Sequence, residues 1–212
     1  ALCSPHFIYL QEEPEPETDK IDPYAIASRL SYFLWSSMPD RELFTMARRG
    51  ELSKPDILRT QTERLLRDSK SDRFVEGFLN AWLTLDNLGN TPPDHHHFKE
   101  YYIDDLASAM RRETHVFFRH LLDNNLPTSE FLTAQYTFTN PALARLYHLP
   151  VEKSDFPNPD SFIRVSTEGH PRGGLLGQAS IHTVTANGVD TSPIIRGVWL
   201  LENILGTPPA PP

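Results

Sequence analysis

Apolar residues recur every three to four positions through most of this chain, the spacing of helices that bury one face. Ala25, Leu30, Phe33 and Leu34 follow Asp22-Pro23, an Asp cap with Pro at the first helical position. Pro39-Asp-Arg-Glu begins a second, short helix that ends at Gly50. Ser53-Lys-Pro-Asp places an acid three residues after a Ser cap and predicts a helix over 55–67. Ser71 caps another, in which Phe74, Phe78, Ala81, Trp82 and Leu85 are expected on one face. The longest predicted helix runs from Ile103 to Leu122, with Leu106, Met110, Phe117 and Leu121 as its buried stripe. Ser129 and Asn140-Pro141 start two short helices, the second covering Leu143 to Tyr147.

Polar and Pro-rich stretches divide these elements. Residues 1–11 read as the tail of an upstream element, whose apolar Pro5–Leu10 is expected to dock on the main body. Residues 12–22 are an acidic, Pro-broken linker that cannot bury apolar surface. A helical domain fills 23–150, and 151–171 is an irregular connector where only Phe162-Ile-Arg-Val165 alternates like a strand. A last module spans 172–207: a helix from Gly173 to about Ile181, a turn at Asn187-Gly188, and a helix from Pro193 to Leu205. Ser192 caps that final helix and Gly206 ends it. Its Trp199 and Leu200 are expected to bury, and the proline-rich exit 208–212 to extend as polyproline II. The fold class is all-α, a multi-helix, bundle-like domain of about eight helices with a short irregular or small β segment near 160–166.

Composition narrows the function classes. At 212 residues the chain suffices for one large domain or two small ones. Lys and Arg number 20 against 28 acids, a net charge of -8 that argues against a nucleic-acid partner. No apolar run approaches the roughly 20 residues that span a bilayer. Cys3 alone forms no internal disulfide or zinc site. The start at Ala1 and the stop after Pro-Pro-Ala-Pro-Pro read as the ends of a segment of something larger.

Candidate chemistry is sparse. Asp94-His-His-His97 resembles a metal cluster, but consecutive residues rarely converge tetrahedrally, so a solvated polar loop is expected and no metal site is assigned. His115 and His120 are five apart on one helix and do not pair as ligands. Glu113 has no titratable residue three or four positions on, and Arg112 and Glu113 are expected in ion pairs. Gly173-Gly174 is read as close packing at a helix start, since no Walker Lys accompanies it. His182, beside Thr183 and Thr185, either approaches a cofactor or hydrogen-bonds inside the core, the latter favoured. Tyr32, Phe33, Trp35, Phe78, Trp82, Phe117, Phe118 and Trp199 are expected in the core. No motif names a reaction.

The run Asp22-Pro-Tyr-Ala-Ile-Ala-Ser-Arg-Leu-Ser-Tyr-Phe-Leu-Trp-Ser-Ser-Met-Pro-Asp-Arg-Glu-Leu43 resembles the start of a helical domain of unknown function found in planctomycete-type cytochrome c proteins. Phe78-Leu-Asn-Ala-Trp-Leu83, Ala109-Met-Arg-Arg-Glu-Thr114 and Tyr136-Thr-Phe-Thr-Asn-Pro-Ala-Leu-Ala-Arg-Leu-Tyr147 extend the likeness in order. The stretch from Arg172-Gly-Gly-Leu-Leu-Gly-Gln-Ala-Ser to Pro209 resembles the beginning of the haem-bearing companion domain of the same proteins. The resemblance implies a large exported protein, periplasmic or at the cell surface, with other domains of that protein and a redox partner as its contacts. It implies no haem bound covalently within these residues and a c-type haem in a continuation past Pro212, held by a Cys-x-x-Cys-His motif. The site residues it suggests are Arg172 and Arg196 toward haem propionates, His182 where the family carries an aliphatic residue, and Thr185 and Asn187 in a loop at the cofactor edge. The competing expectation is a non-catalytic interaction or scaffold module.

Overall fold

A computed structural model of the chain describes residues 21–210. The expected docking of Pro5–Leu10, most of the acidic linker and the last two prolines lie outside the described residues. Those residues hold ten α-helices and one two-stranded antiparallel sheet, so the fold is mostly α with a short β segment, the class expected from the sequence. They divide into two compact units, one ending at Phe74 and the other beginning at Val75.

The first unit packs α1 (Pro23–Trp35), α2 (Arg41–Arg48) and α3 (Pro55–Arg67) around Ala27, Leu34, Trp35, Leu43, Ala47, Leu52 and Leu65. Trp35 is buried to its indole nitrogen, which donates to the Leu65 carbonyl at 2.9 Å and so satisfies its one polar atom. Asp40 caps α2, its Oδ1 accepting the Leu43 N–H at 2.9 Å, and both its oxygens receive Arg64 at 2.8 and 3.2 Å. The helix therefore opens at Arg41, not at Pro39. Neither Asp22 nor Ser53 makes a side-chain cap, and Lys54 stands at the cap position of α3. Pro at the first position suffices there, because it removes one unpaired N–H and presets φ. Tyr32 and Phe33 point largely to solvent, contrary to expectation; the buried face of α1 is Ala27, Ser31, Leu34 and Trp35.

In the second unit α4 (Asp72–Leu83) buries Val75, Leu79 and Leu83, so the face read through Phe78 and Trp82 is rotated from the expected one. Those two rings instead form an aromatic row with Phe118 and Phe131, with centroids 5.5–5.8 Å apart. The long helix predicted over 103–122 is one element that opens three residues later, α6 (Leu106–Asp123); a short helix, α5 (Lys99–Ile103), precedes it, and Asp105, whose φ of 46° lies in the left-handed region, divides the two. The buried stripe of α6 is as read, with Ala109, Glu113 and Thr114 added to it.

After α7 (Glu130–Thr133) comes a strand that the sequence reading passed over, β1 (Tyr136–Thr139), buried on both faces. It pairs antiparallel with β2 (Ile163–Ser166), Tyr136 opposite Ser166 and Thr139 opposite Ile163. Tyr136 and Phe138 join Phe117, Leu121 and Ala134 in one apolar cluster. Between the strands, α8 (Pro141–Tyr147) opens on Asn140, whose Oδ1 accepts the Leu143 N–H at 2.9 Å as its Asn-Pro signature predicts.

The last module begins with a tight 3₁₀ turn over 175–177 and continues as α9 (Ala179–Val184). Gly174 has φ 60°, and a Cβ on it would lie 2.8 Å from the Phe131 carbonyl oxygen. Only glycine meets both demands, in line with the close-packing reading of that stretch. Finally α10 (Pro193–Asn203) is capped by Ser192 and stopped by Gly206 at φ 63°. Two indoles fasten it: Trp199 Nε1 donates to Thr84 Oγ1 at 3.1 Å, and Trp82 Nε1 donates to the Asn203 carbonyl at 2.6 Å.

Candidate functional site

The second unit contains a cavity of about 310 Å³ between α5, the start of α6, and the last module. Phe98, Tyr101, Leu106, Met110 and Leu146 form its apolar wall, while Arg172, His182, Thr183 and Arg196 supply its polar one. Glu100 and Asp190 stand at the same surface. Three of the five suggested site residues, Arg172, His182 and Arg196, thus meet in one cavity. Thr185 and Asn187 do not line it; they build its frame.

Thr185 is buried and accepts Arg196 Nε at 3.2 Å, and Arg196 Nη2 reaches Thr191 Oγ1 at 3.0 Å. An isolated bridge between Ala186 and Thr191 closes the loop that Arg196 spans. Asn187 Oδ1 accepts the N–H groups of Val189 and Asp190 at 3.1 and 2.7 Å, the Asx turn that its side chain favours. Gly188, at φ 86°, offers its carbonyl to the Asp94 N–H at 2.8 Å, which latches this turn onto the 91–94 loop.

That loop carries the three adjacent histidines. His95 stacks on Tyr102 with centroids 3.5 Å apart, and His97 Nδ1 lies 2.7 Å from Asp94 Oδ1. The rings turn to different neighbours. The His97 contact, helped by the His97 and His96 N–H groups, holds the Asp94 carboxyl below the usual carboxylate range. Among the described residues no three His, Cys, Asp or Glu side chains are grouped to hold a metal ion.

Beneath the cavity wall lies a feature that the sequence reading did not find. Glu113 of α6 is fully buried, and its carboxylate partners among the described residues are hydroxyls, not the Lys or Arg of the surface or inter-helix ion pair expected of it. Its Oε1 accepts Thr137 Oγ1 from β1, and its Oε2 accepts the Tyr147 hydroxyl from α8, each at 2.5 Å. Tyr147 in turn accepts the Ala179 N–H at 2.7 Å, and Ala179 lines the cavity. The Arg172 guanidinium sits 4.8 Å above the Tyr147 ring and donates to the Gly177 carbonyl at 3.3 Å. Burial pushes the Glu113 carboxyl up to about 7, against the opposing pull of the Thr137 and Tyr147 hydrogen bonds and the Arg172 charge. Arg112, the other half of the expected pair, lies 5.9 Å over Phe162 instead. Alongside, Thr114 donates to Gln178 Oε1 at 2.7 Å and lies 2.7 Å from Ser180 Oγ, tying α6 to the start of α9.

His182 is half-buried. Burial, then the charges of Arg196 and Arg172, lower its pKa and keep the ring neutral at pH 7. Burial likewise raises the Tyr101 hydroxyl, so the cavity presents two guanidinium groups, the acids Glu100 and Asp190, an imidazole and a neutral phenol.

Two family descriptions match the chain. Residues 21–149 match PSD4, protein of unknown function (DUF1592), and residues 172–212 match PSCyt3, protein of unknown function (DUF1588). The chain belongs to the PSD4 family, whose description covers more than half of it, and both matches are to cytochrome c-associated domains, as the resemblance implied. No curated protein and no solved structure matches it. Among the described residues no helix is long and apolar enough to cross a membrane.

Proposed function

We propose that this chain is the helical part of an exported, multidomain c-type cytochrome-like protein, and that its last module walls a haem carried by a segment following Pro212. The observation that supports the reading is the meeting of Arg172, Arg196 and His182, all of the PSCyt3-like segment, in one cavity. Haem carries its two propionates on one edge, and guanidinium forks match carboxylates in geometry and charge. At about 310 Å³ the cavity is at the small end of ligand pockets, which run from about 300 to 1,000 Å³. It therefore suits an edge of the macrocycle, with Arg172 and Arg196 as the propionate partners, rather than the whole of it. Haem, when bound, supplies one-electron chemistry. The chain's own part is to orient that edge, keep it from water with Met110, Leu106 and Tyr101, and hold charge against it. Exposed apolar residues on α10 and the turn before it, Ile194, Ile195 and Val189, are the surface that the haem-bearing domain would cover.

The test is a haem stain with visible spectra of the full-length exported protein, oxidised and reduced. A Soret band that shifts when Arg172 and Arg196 are replaced together by Gln is expected. A full-length protein without a Soret band overturns the reading.

A further inference from the structure

The cavity and the buried Glu113 are usually separate kinds of feature, yet here they share a wall. Ala179 lines the cavity and gives its N–H to Tyr147, whose hydroxyl binds Glu113. Arg172 also serves both sides. It lines the cavity, lies over the Tyr147 ring, and its charge acts on Glu113 from outside α6. The other groups facing Glu113 are the Tyr147 hydroxyl from α8, the neutral Thr137 from β1 and the Ala179 N–H from α9. Facing the cavity are Arg172 and Arg196, the neutral His182 and Tyr101, and the acids Glu100 and Asp190.

From this arrangement we infer that the cavity binds a carboxylate borne on a small apolar body, and that Glu113 takes up a proton when the carboxylate arrives. The ligand class follows from the lining. Two guanidinium groups select a planar anion, while Phe98, Tyr101, Leu106 and Met110 select an apolar remainder. The volume of about 310 Å³ holds on the order of ten water-sized groups of about 30 Å³ each, which limits what lies inside it to a single ring, a short chain or one edge of a larger ring system.

The proton follows from electrostatics. The Thr137 and Tyr147 hydrogen bonds favour the Glu113 carboxylate in its dry site, and the field of Arg172 adds to them. An anion bound at Arg172 cancels part of that field, and the buried carboxylate answers by protonating. With its pKa at about 7, Glu113 is divided between its two forms at neutral pH and has a fraction of a proton left to accept. Binding that consumes a proton weakens as pH rises, by up to about tenfold for each unit by which the ligand raises the Glu113 pKa. The carboxylate is either a haem propionate, in which case the inference rests on the reading above, or that of a free small molecule; the chemistry at Arg172 is the same for both.

Isothermal titration of the full chain decides it, with benzoate against benzamide as one arm and protoporphyrin IX against its dimethyl ester as the other. Each titration is run at pH 7 in buffers of different ionisation enthalpy, so that protons are counted directly. At least one carboxylate is expected to bind about tenfold or more tightly than its neutral partner, with net proton uptake. Uptake is expected to vanish in Glu113→Gln and to be accompanied in wild type by a protonated-carboxyl infrared band. The inference is overturned if neither carboxylate binds, if neutral probes bind equally, or if uptake survives in Glu113→Gln. A Soret band in the full-length protein alongside such a failure leaves the haem reading standing. Proton-linked benzoate binding in a protein without a Soret band leaves only this one.

Discussion

The Tyr147 hydroxyl donates to Glu113 Oε2 at 2.5 Å while it accepts the Ala179 N–H at 2.7 Å, so one phenol bridges a buried acid and the backbone of the cavity wall. The two residues lie 34 positions apart, on α6 and α8, and both are buried. Most consequences of this structure that can be measured begin from that contact.

Glu113 should impose a pH dependence on stability with a definite sign. Its folded pKa of about 7 lies above the ordinary value of 4.5, so between those values the folded chain binds more protons than the unfolded one. Stability is then highest at the acid side and falls as pH rises from about 4.5 through about 7, by about 3 kcal/mol in all. Glu113→Gln keeps the shape and removes the titration. Urea midpoints measured from pH 5 to pH 8.5 should decline in the wild type and stay nearly level in the variant. Parallel curves would show that the acid is not buried as described.

Tyr147→Phe isolates the hydroxyl. The ring and its contact with Arg172 remain, but Glu113 Oε2 and the Ala179 N–H both lose their partner. Buried groups left unpaired cost about 1–3 kcal/mol each, more when charged. The loss should therefore be larger at pH 8, where Glu113 is ionised, than at pH 6. Denaturation at the two pH values reads this difference.

How much of this was legible follows from α6. Leu106, Met110, Phe117 and Leu121 were readable as a stripe, yet Glu113 sits three residues after Met110 and four before Phe117, squarely within it. A lone acid on an apolar stripe is the available signal; nothing along the same helix marks its role, because its partners come from β1 and α8. Tyr136-Thr-Phe-Thr139 carried an aromatic and β-branched alternation, but with both faces buried its strand lacked the polar outer side that marks half-exposed strands. Arg172, His182 and Arg196 were selected through resemblance, and nothing in their spacing says that they face one cavity. Capping signals succeeded where the side chain had an N–H in reach, at Asn140 and Ser192, and failed at Asp22 and Ser53, where Pro alone opens the helix.

Gly188→Ala tests the latch between the last module and the 91–94 loop. A Cβ there would lie 2.9 Å from the Pro92 carbonyl oxygen, at a φ of 86° that L side chains rarely adopt. Such strain costs about 1–3 kcal/mol. The local sign is faster amide exchange at Asp94, whose N–H is bound to the Gly188 carbonyl. Unchanged protection at Asp94 would mean the two loops are not joined there.

The final helix supplies a paired test of docking. Trp199 is 7% exposed and its indole nitrogen is held by Thr84 Oγ1, whereas Ile194, on the first turn of the same helix, is 80% exposed. Removing the indole opens a cavity and leaves a polar partner behind, so Trp199→Ala should cost roughly 3–5 kcal/mol in chemical denaturation. Ile194→Ala should stay within about 0.5 kcal/mol, as surface changes do. The contrast matters more than either value. If both variants were nearly neutral, α10 would not be docked on this unit through Trp199. If Ile194→Ala were as costly as Trp199→Ala, its side chain would be covered within the isolated chain, and the apolar surface assigned to an adjoining domain would already be in use.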